Sequence, residues 1–265
     1  MPFPAAQTPG QPRFRAARSI AALVLREMTT KYGRSPGGYL WVVVEPVAGI
    51  ALLSMLFMLI SRTPPLGTNF PIFYATGVLP FTMYVTLSNN IATAVTFSRP
   101  LLAYPAVSFM DAVLARFLLT TVTHLLVMAL VLAGIIALYD LKLVLHWPSI
   151  FKSVLMVLGI AFAIGVMNCF LFLRFPVWQN FWNVLNRPMF LISGIIFIPE
   201  RLPKEALPYL SWNPVMHAVG MMRRGFYPTY DALYIDVVFV ATFCLVTGVI
   251  GLWFLVRYHK DLALL

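Results

Sequence analysis

The chain has 265 residues, 60% of them hydrophobic and 11% charged, and a net charge of +10. A soluble domain carries about a quarter charged residues, so this composition excludes water as the main solvent and points to lipid. The basic residues flank apolar runs and form no single stripe, which excludes nucleic acid as a partner and suits orientation in a membrane.

The first 18 residues are rich in proline and then basic, with no apolar stretch resembling a signal peptide, and predict a cytoplasmic N-terminus. Over 13–32, Ile20, Leu23, Val24 and Met28 gather on one side of a helix, opposite Arg15, Arg18 and Arg26. That pattern predicts an amphipathic helix on the inner leaflet, a solvated basic face being the alternative. The stretch "KYGRSPGGYLWVVVEP" then turns into the first apolar run. Gly33, Gly37 and Gly38 with Pro36 suit a tight bend, and Tyr39 and Trp41 suit the headgroup belt.

Apolar runs predict spans over 38–60, 71–97, 114–139, 150–173 and 232–256, each close to the ~20 residues needed to cross the hydrocarbon. A sixth span, 178–198, requires Arg187 near its middle. Glu45 lies about one turn inside the first span, before Pro46, which frees a carbonyl of the preceding turn. A carboxylate there must face protein or water and find a partner. Arg187 is the candidate, and snorkelling to the cytoplasmic surface is the alternative. His124, alone in an apolar run, reads as an interior histidine, and Asp236 as a residue of the outer interface. Cys169 and Cys244 fall inside apolar runs and read as small buried hydrophobes.

Two connecting segments stand out. The loop 99–112 is short and bracketed by Pro100 and Pro105. Within 203–228, the uncharged "ALPYLSWNPVMHAVGMM" is broken by Pro208 and Pro214, which makes a poor span but a good re-entrant hairpin that lines a path. The expected fold is therefore an all-α integral membrane protein, one domain over 1–265. It has six transmembrane helices, an N-terminal amphipathic interface helix and a re-entrant helical hairpin before the last span. The cytoplasmic side then receives Arg13, Arg15, Arg18, Arg26, Lys31, Arg34, Arg99, Arg116, Arg174, Arg257 and Lys260. The outer side receives fewer, most of them in one long segment, and both termini are inside.

Chemistry is sparse. No GxxxxGK[ST] cradle for nucleotide phosphates occurs, no His/Cys/Asp/Glu group has metal-ligand spacing, and no dense series of intramembrane acids suggests a proton pump. No catalytic residue is expected, and a membrane-embedded transferase finds no acid/base or nucleophile constellation to rest on.

Two stretches, "LREMTTKYGRSPGGYLWVVVEP" and "WNPVMHAVGMMRRGFYP", together with the six-span layout, resemble the permease subunits of type-2 ABC exporters, specifically the KpsM-like capsular-polysaccharide permeases. The second stretch is shared more widely, with exporters of O-antigen and teichoic acid. The resemblance covers essentially the whole chain. It implies a homodimer in the bacterial cytoplasmic (inner) membrane, docked to two copies of a cytoplasmic ATPase subunit that binds ATP and Mg, with no cofactor held by this chain. It implies export of a lipid-linked, acidic polysaccharide through a channel at the dimer. In a cell with two membranes it adds a periplasm-spanning co-polymerase and outer-membrane export partner. O-antigen, teichoic acid or another lipid-linked glycan, or a drug or lipid, are the alternative cargoes.

The resemblance also distributes roles. Arg26, Lys31, Tyr32, Gly33 and Arg34 would belong to a lateral gate, and Arg99, Leu101, Leu102, Tyr104 and Pro105 to the segment that couples to the ATPase. Tyr39, Trp41, Glu45, Trp178, Phe181, Trp182, Arg187, His217, Arg223 and Arg224 would line the substrate path, since rings suit sugar faces and arginines suit acidic groups. For the rings the alternative is packing or a lipid belt, and for Arg223 and Arg224 a solvated helix end. Arg187 either pairs with Glu45 or meets the anionic cargo.

Overall fold

The computed structural model describes residues 15–32, 38–102, 108–203 and 205–264. Among them all regular structure is helical. The elements are α1 (Arg15–Tyr32), α2 (Gly38–Ile60), α3 (Phe70–Ala92), α4 (Ala94–Leu102), α5 (Phe109–Leu138), α6 (Trp147–Arg174), α7 (Pro176–Ile192), α8 (Leu207–Leu210), α9 (Pro214–Phe226) and α10 (Val237–Leu264), with a 3₁₀ turn at Pro199–Arg201. Five stretches are long and apolar enough to cross a membrane: Leu40–Ile60, Phe70–Ala92, Phe109–Leu138, Trp147–Arg174 and Val237–Tyr258.

α3 is the centre of the bundle, with 83% of its span buried, against 11% for α2 and 17% for α10. It packs on α6, α5, α2 and α9, and α6 in turn packs on α10. Lipid tails are as apolar as leucine, so close backbone approach and packing must hold such helices together. Small residues permit it. A Cβ on Gly165 of α6 would stand 2.7 Å from Ile91 Cβ of α3, and one on Gly251 of α10 would stand 2.8 Å from the Met167 amide nitrogen.

The helix starts carry their own signals. Asn69 Oδ1 accepts from the Ile72 amide (3.1 Å), and Asn213 Oδ1 from the Val215 amide (3.0 Å). Ser108 and Asp111 cap α5 together, Ser108 Oγ accepting from Met110 N and Asp111 Oδ2 from Ser108 N.

Several boundaries differ from the sequence reading. The span expected over 71–97 breaks at Thr93, and α4 starts there as a separate helix. The break is supplied with partners: Arg116 Nη1 of α5 donates to Asn90 O (3.3 Å), and Thr93 Oγ1 donates back to Asn89 O (2.9 Å). The stretch expected over 178–198 is helical only from Pro176 to Ile192, after which Gly194 takes φ +71° and 193–198 is irregular. α7 is about 25 Å long at 1.5 Å per residue. It begins where α6 ends, and the chain after it reaches Arg201, which donates to Pro65 O between α2 and α3 (2.8 Å), so 176–201 runs from one end of the bundle to the other. Over 203–228, where a hairpin is expected, the structure has the short helices α8 and α9, and the last helix starts at Val237 instead of 232. Asp236 caps it, its Oδ1 accepting from the Phe239 amide (2.9 Å).

Candidate functional site

A groove of about 800 Å³ runs between α2, α3, α5 and α7. α2 supplies Trp41, Glu45 and Gly49, which share a face because helical residues four apart stack in one row. Pro46 beside them lines the groove as a buried residue, whereas Glu45 is exposed and open to it. Thr82 and Thr86 of α3, His124 of α5 and Phe190 of α7 complete the wall. Rings, hydroxyls, one carboxylate and one imidazole on an otherwise apolar surface can hold an extended, hydroxyl-bearing molecule by many weak contacts. That is what a passage needs if its cargo is to leave again.

α7 carries the second part. Trp178 Nε1 donates to Asn168 Oδ1 of α6 (3.0 Å), which fixes the indole. Phe181 stands against Trp178 with ring centroids 5.1 Å apart, and Trp182 stacks on it at 6.4 Å. No residue of α7 is buried. Phe181 and Arg187 are both exposed. Glu45 and Arg187 form no ion pair: among the described residues, the pair is Arg116–Glu27.

Arg223 and His217 lie elsewhere. Arg223 of α9 is fully buried (0% exposed), and its guanidinium donates to Gly194 O (2.5 Å), Ile195 O (2.7 Å) and Phe197 O (3.0 Å) while lying 4.2 Å over the Phe73 ring. Those carbonyls belong to the irregular stretch that follows α7, where no helical amide reaches them, so a cation there meets their hydrogen-bonding need and sits just beyond the negative end of the helix dipole. His217 uses both ring nitrogens inside the chain. Nδ1 accepts from the Asp236 amide (3.0 Å), which leaves the proton on Nε2 to donate to Ser211 O (2.7 Å). Further bonds tighten the same cap, formed by the stretch after α7 together with α8, α9 and the segment that leads into α10. Asn213 Nδ2 donates to Ser193 Oγ (3.0 Å), Ser153 Oγ to Ala218 O (2.6 Å) and Tyr230 OH to Glu200 Oε2 (2.9 Å). Burial holds the Tyr230 phenol far above its ordinary range, so it stays a donor. Arg224, beside Arg223, is exposed.

Of the remaining expected residues, Arg26 is exposed on α1, and Lys31 and Tyr32 end that helix. Arg99, Leu101 and Leu102 form the last turn of α4, and Tyr39 lies in the first turn of α2. Gly33, Arg34, Tyr104 and Pro105 lie outside the described residues. The structure therefore brings Trp41 and Glu45 into one groove and gathers Trp178, Phe181 and Trp182 on one open helix. It puts His217 and Arg223 inside the cap. Sequence reasoning did not assign Thr82, Thr86, Phe190 or Asn168. Only Asn168, a lone amide inside an apolar run, carried a visible signal.

A family model described as ABC-2 type transporter matches residues 18–227. The polysialic acid transport protein KpsM of Escherichia coli is 32% identical over 242 residues, which are 88% of this chain and 91% of that protein. The capsule polysaccharide export inner-membrane protein BexB of Haemophilus influenzae is 29% identical over 92% of both chains. The O-antigen export system permease protein RfbA of Klebsiella pneumoniae is 20% identical over 85% of this chain and 87% of its own.

Proposed function

The chain belongs to the ABC-2 type transporter family, and from that premise we propose that it is the permease subunit of an ATP-driven exporter of capsular polysaccharide in the bacterial inner membrane. The observation that carries this reading is the 32% identity to the polysialic acid transport protein over 88% of the chain. The groove adds physical support, since its rings and hydroxyls suit sugars and its volume of about 800 Å³ suits a chain segment rather than an ion.

The bundle crosses the bilayer six times in this reading. The five apolar helices and the stretch 176–201 alternate between the two ends of the bundle. α8 and α9 are the re-entrant hairpin, held on the outer side. Both termini face the cytoplasm, where basic residues are most frequent. Two copies pair through the open faces of α2 and α7, placing Trp41, Glu45, Trp178, Phe181, Trp182 and Arg187 along the shared channel. Arg224 lies at the outer exit. α1 with Arg26, Lys31, Tyr32, Gly33 and Arg34 forms the lateral gate for the lipid-linked end. Arg99, Leu101, Leu102, Tyr104 and Pro105 seat on the ATPase subunit, which supplies the ATP and Mg site. The cargo is acidic, which gives Arg187 a partner that Glu45 does not provide.

The test is the nucleotide chemistry of the parts. The purified permease alone is expected to show no ATP turnover, whereas the complex of two permease and two ATPase subunits turns ATP over. Turnover by the isolated permease would contradict the reading.

A further inference from the structure

A polar knot holds α1 to the bundle where α3 breaks into α4. Arg116 of α5 is its centre. Its Nε lies 2.9 Å from Glu27 Oε1 of α1, with side-chain exposures of 11% and 18%. Its Nη1 donates to Thr93 Oγ1 (3.1 Å) and to Asn90 O (3.3 Å), and its guanidinium lies 4.6 Å over the Phe97 ring of α4. Asn90 Nδ2 is fixed by donation to Thr120 Oγ1 of α5 (3.0 Å). One side chain thus touches α1, the end of α3, the break and α4. The contact with Glu27 is an ion pair, whereas the contacts at the break are hydrogen bonds to neutral acceptors. A pocket of about 260 Å³ bounded by Leu23, Arg26, Phe97 and Ser98 leaves room beside the knot for the guanidinium to shift.

We propose that Arg116 is a positioning residue that transmits movement of α4 to α1, keeping Glu27 clasped in one state of α4 and releasing it in the other. The inference rests on the reading of α4 as the helix that meets the ATPase. Tilting α4 moves Phe97 and the Thr93 hydroxyl, and these define where the guanidinium sits. The Glu27 contact is the one of the set that reaches α1, so a guanidinium that follows the break leaves Glu27 behind. α1 is otherwise held to α5 mainly through apolar contacts, among them those lining the groove between Ile20, Val24, Leu118 and Val122, and such contacts slide without a directional cost.

The experiment uses the full permease–ATPase complex in a lipid bilayer, with Met28→Cys on the exposed part of α1 (38% exposed) as a site for a thiol reagent and the parent protein as background. ATP with Mg is expected to change the labelling rate of that cysteine about fivefold or more. The change is expected to vanish in Arg116→Gln and in Glu27→Gln, and the double variant should match the single ones, because both substitutions remove one interaction. A merely structural strut would alter labelling equally with and without ATP. An ATP response that survives in the single variants, or no response in the unsubstituted complex, would overturn the proposal. A response that depends on Arg116 in a complex unable to move polysaccharide would leave the clasp standing and remove the export reading.

Discussion

Glu45 and Arg187 are the two charges that sit inside otherwise apolar stretches of α2 and α7, and they do not meet. An arginine in mid-span costs about 2.5 kcal/mol on insertion scales, and in the proposed six-span arrangement no carboxylate among the described residues pairs with Arg187 to offset that cost. The sequence allowed either a pair with Glu45 or a contact with anionic cargo; the structure lacks the pair, and the proposed function takes up the contact with cargo. Arg187→Ala is therefore expected to reduce polysaccharide export at least ~10-fold with unchanged amounts of folded complex. Adding Glu45→Gln should restore nothing. Recovery of export in the double variant, measured as cargo per complex, would reinstate the ion pair. Arg223 teaches the opposite lesson. Its neighbour Arg224 is exposed and Arg223 is not, and two consecutive arginines on a helix give no sequence signal of which one turns inward.

At the scale of elements, the joint between α7 and α9 is the feature that local sequence rules describe least. The apolar run 178–198 reads as one helix, but its last third opens after Ile192. The reason lies 29 residues away in sequence, where Arg223 takes the freed carbonyl of Gly194. Each of these buried carbonyls left without a donor costs about 1–3 kcal/mol. Arg223→Ala is thus expected to lower the yield of folded complex sharply, and Arg223→Lys to recover it only in part, because an ammonium is a point donor and the guanidinium a planar fork. Unchanged thermal stability of the detergent-solubilised Arg223→Ala protein would remove the joint from the account. The break at Thr93 is hidden in the same way. "NNIATAV" is apolar enough to continue a helix, and it is Arg116 of α5 that satisfies Asn90 O there. The helix before the first span, by contrast, was legible, expected over 13–32 and found as α1, because its apolar spacing is local.

For the whole molecule, composition and run length were enough to read an all-helical membrane chain, and of the six spans expected, five are helices long and apolar enough to cross a membrane among the described residues. They could not reveal that α3 lies at the centre while α2 and α7 stand at the rim with open faces. Burial of a helix depends on how many neighbours it has, and in lipid an apolar residue suits a central helix as well as a peripheral one. The groove was legible in Trp41 and Glu45, which share a row of α2, and illegible in Thr82, Thr86 and Phe190, which only tertiary packing brings to it. The open faces, the mixed lining of the groove and the kinship with capsule exporters support the function proposed above, ATP-driven passage of a polysaccharide through paired permeases. The most direct test is ATP-dependent accumulation of a lipid-linked, acidic polysaccharide inside inverted membrane vesicles that hold this chain and its ATPase subunit. Accumulation that requires both subunits and ATP is expected. No accumulation with both present, or equal accumulation without the ATPase, would contradict the proposed function.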